Sequence, residues 1–188
     1  MTFVLQPLPY AYAALEPVLN TASVRRHYED NHAGYVKKLN LLSRGKTLSD
    51  ILTHEPSGTP LYNCAAQHWS HTFWWRSMCP IGTGGSPMPE IQDVPDFKKK
   101  WITAGTNHFG SGWLWLTYVG VHKQLAIETT PNAEMPQRRG TVPILVMDLW
   151  EHTYTCQYGS NKTEYLTRSL DIIDWNRVAR RLSGKVTT

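Results

Sequence analysis

With 188 residues, 41% of them hydrophobic and 18% charged, the chain has the usage of a globular protein and is long enough to bury a core without disulfides or repeats. Its net charge is +4, but apart from Lys98-Lys99-Lys100 and the Arg180-Arg181 region the basic residues are scattered, too thin a patch to argue for nucleic acid as a partner. No run reaches the ~18 apolar residues of a membrane span, no secretory leader pattern opens the chain, and three cysteines without C-x-x-C spacing point to a reducing compartment.

In chain order, Thr21 to Ser43 lacks proline, opens with a cap at Thr21 or Ser23 and precedes Gly45, which predicts a long helix. Thr53 to Pro60 contains two prolines and a glycine and reads as a connector to a second, antiparallel helix over Leu61 to Cys79. The Gly- and Pro-rich stretch 80–95 marks the main boundary, dividing a helical hairpin domain, 1–88, from a second domain, 89–188. After a short helix around Asp96 to Thr106, strands are predicted at Trp113–Val119 and Lys123–Thr129, joined by a tight turn at Gly120-Val121-His122. Val142–Met147 makes a third strand, and Tyr165–Leu182 returns to helical spacing. The expected class is α+β: an N-terminal antiparallel helical hairpin followed by a C-terminal α/β domain with a three-stranded antiparallel sheet.

His27, Asn31 and Tyr35 stand at i, i+4 and i+8 on the first predicted helix, and Gln67, His71 and Trp75 have the same spacing on the second. Two antiparallel helices can point one imidazole each into a common seam. The segment VPILVMDLWEHTY supplies what is missing: a buried strand ends at Asp148, and His152 follows four residues later. Three neutral imidazoles and one carboxylate suit a first-row metal such as iron or manganese, and the metal would offset a charge that is otherwise costly to bury. The same spacing also suits Asp148 as the cap of the next turn, with Glu151 and His152 paired at the surface. His68 and His71, at i and i+3, form a second ligand-type pair, although His68 lies off the Gln67 stripe. His32, His54, His108 and His122 have no partner at metal-like spacing.

Blocks of the sequence resemble the iron and manganese superoxide dismutases in family order: QPLPYAYAALEP, HYEDNHAGYVKKLN, NCAAQHWSHTFWW, MCPIGTGGSP, NHFGSGWLWL, MDLWEHTYTCQY and DWNRVARRL. The D-x-W-E-H-x-Y and F-G-S-G-W-x-W elements are the specific ones. The resemblance implies that His27, His71, Asp148 and His152 are metal ligands, that Tyr35 is the phenol at the mouth of a substrate funnel, and that Gln67 meets a solvent ligand of the metal. It implies Trp69, Trp75, Trp113 and Trp150 as walls of the site. It also implies a homodimer in which Glu151 bonds a ligand histidine of the other subunit, with Ser111 at the same contact. Superoxide would be the substrate. Iron is expected rather than manganese, because the amide comes from Gln67 while Ala133 stands where manganese members have glutamine.

Three positions depart from the family pattern: Asn31 and Thr155 stand where a histidine and a tyrosine usually meet across the dimer, and Ser70 replaces an asparagine. These departures and the mild basicity leave a second reading, a dismutase-like structural subunit of a larger assembly such as a mitochondrial ribosome. The expected location is the cytoplasm, or a mitochondrion or other organelle after removal of a transit peptide.

Overall fold

A computed structural model describes residues 2–92, 96–122 and 124–186. After a short 3-10 turn at Tyr12–Leu15, helix α1 runs without interruption through Thr21–Arg26, a π-helical stretch His27–His32, and Ala33–Leu42. Its cap is Asn20, whose side chain accepts from the Ser23 amide (2.8 Å), one residue earlier than expected. Helix α2 (Leu48–His54) lies where no element was expected, closed at its start by a capping box between Thr47 and Asp50. Helix α3 (Pro60–Trp75) starts on a Thr59 cap with proline in its first turn and packs against α1 to form the hairpin. It ends four residues before the expected Cys79. Residues 77–79 instead run alongside residues 172–174, through the Met78–Ile173 bridge and the Cys79 amide on the Ile172 carbonyl (2.8 Å).

A single turn, α4 (Pro89–Gln92), and helix α5 (Phe97–Asn107) lead to the sheet. Strands β1 (Gly112–Val119), β2 (Gln124–Pro131) and β3 (Val142–Asp148) form an antiparallel sheet in the order β2-β1-β3, so the central strand is the first in sequence. The part of the second predicted strand at Lys123 lies outside the described residues. Every residue of β1 from Gly112 to Tyr118 is buried, as its Trp- and Leu-rich run requires. Gly112 has no alternative here: an added Cβ would collide with the Thr130 carbonyl and the His108 ring.

Helix α6 (Glu151–Tyr158) follows β3 directly, where no helix was predicted. The predicted helix over Tyr165–Leu182 is in fact divided among α7 (Lys162–Ser169), a 3-10 turn at Leu170–Ile172, and α8 (Trp175–Val186), which ends the described chain. The Asp174 side chain accepts from the Arg177 amide (2.8 Å), so a local cap starts α8 where neither glycine nor proline signals a break. One core joins hairpin and sheet, with Leu15, Val24 and Trp74 packed in the same cluster as Trp113, Leu145 and Val178.

Candidate metal centre

The π-helical stretch of α1, the C-terminal half of α3, the end of β3 and the first turn of α6 bring four ligand-type groups together. His27, His71, Asp148 and His152 each offer one atom within 4.8 Å of all the others, and no other such group occurs among the described residues. His27 Nε2 lies 2.9 Å from His71 Nε2, 3.3 Å from His152 Nε2 and 3.4 Å from Asp148 Oδ2; His71 Nε2 lies 3.7 Å from the same oxygen. The His27 and His71 Nε2 atoms therefore face the carboxylate oxygen, and the His152 ring closes the cluster through its contact with His27. Asp148 Oδ1 accepts from the Trp150 amide (2.7 Å), while the buried Oδ2 has no hydrogen-bond partner.

Each group is held from behind. The His71 Nδ1–H donates to the Gln67 carbonyl (2.7 Å), which leaves the Nε2 lone pair free to bind a cation. The β1–β3 register sets Trp113 opposite Asp148, and the Tyr165 hydroxyl donates to the Asp148 carbonyl (2.9 Å). Trp74 and Trp75 stand 4.9 and 5.1 Å from the His27 ring, Trp113 stands 5.0 Å from His71, and Trp150 stands 5.7 Å from His152.

Burial sets the protonation states. It pulls His27 and His71 well below the ordinary imidazole value, with the neighbouring histidines adding to the effect, so both rings are neutral near pH 7. It also pushes the Asp148 carboxyl up to about 7, against the opposing influence of His152 and the Trp150 amide. A buried carboxylate with one unbonded oxygen among neutral imidazoles is a site that a cation completes. The four residues fit a first-row metal with an N₃O set.

The other expected residues are placed less uniformly. Gln67 is buried with neither amide atom hydrogen-bonded, and the Tyr35 ring lies 5.5 Å from His71. Burial first, then Asp148, pushes the Tyr35 phenol up to about 12. Trp69 stands one layer out, stacked on Phe73 (4.8 Å) and facing Trp115. Asn31 is half-buried, Ser111 uses its carbonyl to accept from His108 and Asn132, and Glu151 is exposed. Ser70 Oγ is buried without a partner, and Thr155 bonds back to the Glu151 carbonyl (2.8 Å).

His32 is the residue that spacing missed. It is buried; its Nε2 is 2.9 Å from His68 Nδ1, its Nδ1 accepts from Trp75 Nε1 (3.2 Å), and its ring stacks on His71 at 5.2 Å. Because Trp75 is only a donor, neutral His32 carries its proton on Nε2 and donates to His68. Burial, with His68 and His27, keeps His32 neutral by lowering its pKa to about 3. The five-residue interval from His27 is no signal at regular helical spacing, and only the π turn of His27–His32 converts it into a shared face.

Residues 2–79 match the family described as iron/manganese superoxide dismutases, alpha-hairpin domain, and residues 89–181 match the C-terminal domain of the same description. The chain is 37% identical over 195 residues to a protein of Entamoeba histolytica named superoxide dismutase (Fe), covering 97% of this chain and 100% of that one. Proteins of the same name from Coxiella burnetii and Escherichia coli K12 are each 35% identical over 197 residues, covering 98% of this chain and 100% of theirs.

Proposed function

Because the chain belongs to the iron/manganese superoxide dismutase family, we propose that it is an iron superoxide dismutase. It would convert two superoxide ions and two protons into dioxygen and hydrogen peroxide, with His27, His71, Asp148 and His152 as ligands. The observation that carries this reading is the clustering of three imidazoles with Asp148, whose buried Oδ2 is unbonded. Iron bound there supplies a centre that accepts an electron from one superoxide and returns it to the next.

The protein's own groups account for the rest. His27 and His71 are neutral, and Asp148, whose burial favours the protonated form, becomes the one protein anion of the site when a cation displaces its proton; the tryptophans exclude bulk water around it. Tyr35 keeps its phenolic proton across the physiological range and so presents an O–H donor to a small anion. The Gln67 amide, buried without a protein partner, is a second donor beside the ligands on α3. Ala133 packs against Tyr62 and Ala66, so the amide in this protein comes from the helix, which supports iron over manganese. The net charge of +4 favours approach of an anion.

The proposal includes a C₂ homodimer. Glu151 is exposed beside half-buried His152, and among the described residues nothing hydrogen-bonds His152 Nδ1, so a partner's carboxylate can complete that ring. We assign residues 1–88 and 89–188 to the two family domains. The free thiols of Cys64, Cys79 and Cys156 suit a reducing compartment such as the cytoplasm. No helix among the described residues is long and apolar enough to cross a membrane. Nothing favours a purely structural subunit, which would have no use for a complete ligand set.

Metal-free protein reconstituted separately with iron and manganese tests this reading through bound metal per chain and superoxide decay. One iron per chain with activity chiefly in the iron form is expected; inactivity in both forms would overturn it.

A further inference from the structure

A groove of about 810 Å³ opens between the N-terminal segment, the end of α3 and α8. Four guanidiniums line it: Arg76 at the C-cap of α3, and Arg177, Arg180 and Arg181 on α8, at spacings that put all three on one helical face. Among the described residues no carboxylate lines the groove. Among the described residues the one carboxylate paired with any of the four is Asp174, 3.3 Å from Arg177 Nε.

The four arginines are not equivalent. Arg181 is committed to the fold: it donates to Ser77 Oγ (2.8 Å) and the Ile144 carbonyl (3.0 Å), and its guanidinium lies over the Phe73 ring at 3.6 Å. Burial, then the charges of Arg177, Arg76 and Arg180, lower its pKa to about 9 despite Asp174, so it registers the positive field of its neighbours. Arg76 and Arg180 are exposed and have no carboxylate partner among the described residues. Arg177 is half-buried and retains donors beyond its bond to Asp174.

Like charges gathered in a concavity repel one another unless an anion joins them, and a guanidinium fork matches phosphate oxygens better than a halide. A singly charged anion satisfies one of these groups, whereas linked phosphoryl groups reach several. The volume lies within the usual range for small-molecule sites, and Phe3 supplies an aromatic ring at one wall. The remaining basic residues are dispersed and the Lys98–Lys100 run belongs to α5, outside the groove, which favours a compact ligand over a nucleic-acid strand. We propose that this groove binds a small-molecule polyphosphate, its phosphoryl groups on Arg76, Arg177 and Arg180 above the fixed cation of Arg181.

Titration calorimetry on the metal-loaded protein with inorganic tripolyphosphate, adenosine triphosphate and adenosine tests this. Both polyphosphates should bind and adenosine should not. The Arg76→Ala, Arg180→Ala double variant should weaken binding about tenfold or more, with superoxide decay unchanged. Extraction of metal by polyphosphate would persist in that variant, because neither arginine belongs to the ligand cluster, and so is distinguished from binding in the groove. Tighter binding of adenosine triphosphate than of tripolyphosphate would identify a nucleotide as the source; equal binding would identify the phosphate chain alone. No binding of either up to about 1 mM, an unchanged affinity in the double variant, or tighter binding of a single-stranded oligonucleotide through the same two arginines would each overturn the proposal.

Discussion

Burial holds the Asp148 carboxyl at about 7, and its Oδ2 faces His27 and His71 without a protein hydrogen bond. In the unfolded chain the same carboxyl titrates near ~4. A folded pKa above the unfolded one contributes stability at low pH and loses it as pH rises, here between about 4 and about 7, a loss of ~4 kcal/mol for metal-free protein. Metal binding takes the proton from Asp148 and removes that loss. Burial pushes His27 and His71 well below the ordinary imidazole value, so both favour the neutral form with or without metal. The melting temperature of loaded protein minus that of metal-free protein should therefore widen as pH rises from about 4 to about 7 and level off above it. A difference that stays flat, measured by scanning calorimetry, would mean that Asp148 is not a ligand. Asp148→Asn keeps an oxygen for the Trp150 amide and removes the buried charge. Above pH 7 its metal-free form should melt at or above the wild-type metal-free form while binding little metal and showing no activity.

At the scale of the element, the π-helical stretch in α1 decides which residues look inward. A π turn spaces facing residues by five rather than four, so His32 joins His27 against α3, while Asn31 sits half-exposed. The His68→Val variant leaves His32 Nε2 buried without an acceptor, at a cost of about 1–3 kcal/mol. For a chain of this length that lowers the melting temperature by roughly 2–10 °C, with metal content unchanged. Combining it with His32→Phe should cost less than the two single losses added, since the pair then disappears together; additive losses would show that the bond contributes nothing. The same region marks the limits of reading from sequence. The stripe Gln67, His71 and Trp75 on α3 and the Asp148–His152 interval were legible because regular helix and strand periods generate them. A π turn has no comparable local signature. Helix α2 does have one, the Thr47–Asp50 capping box, but at seven residues the helix is too short for apolar periodicity to mark it. The break before α8 was hidden because Asp174 is fixed by a long-range partner, its amide donating to the Ser77 carbonyl (2.9 Å) at the end of α3.

For the whole molecule, hairpin and sheet share one core, yet near the start of α6 a large apolar side chain is left in solvent. Phe109 is 99% exposed, an unusual place for a phenyl ring, and the Leu149 amide on the Gly112 carbonyl (3.0 Å) ties its loop to the segment leading into Glu151. Ser111 and Thr155 lie on the same two segments. A C₂ dimer through this face would cover the ring twice and bring each Glu151 to the other chain's His152, joining association to metal binding. In such a dimer Glu151→Ala would remove the carboxylate proposed to orient and strengthen the His152 imidazole, so it should lower both dimer stability and iron affinity, the latter by about 10- to 100-fold. Phe109→Ser removes only buried area and should weaken the dimer while leaving iron affinity per assembled dimer unchanged. Sedimentation velocity across a dilution series, with iron counted in each fraction, separates the two effects. Wild-type protein that sediments as a monomer with a full complement of iron would show that each chain completes its own site and that the exposed face serves another purpose.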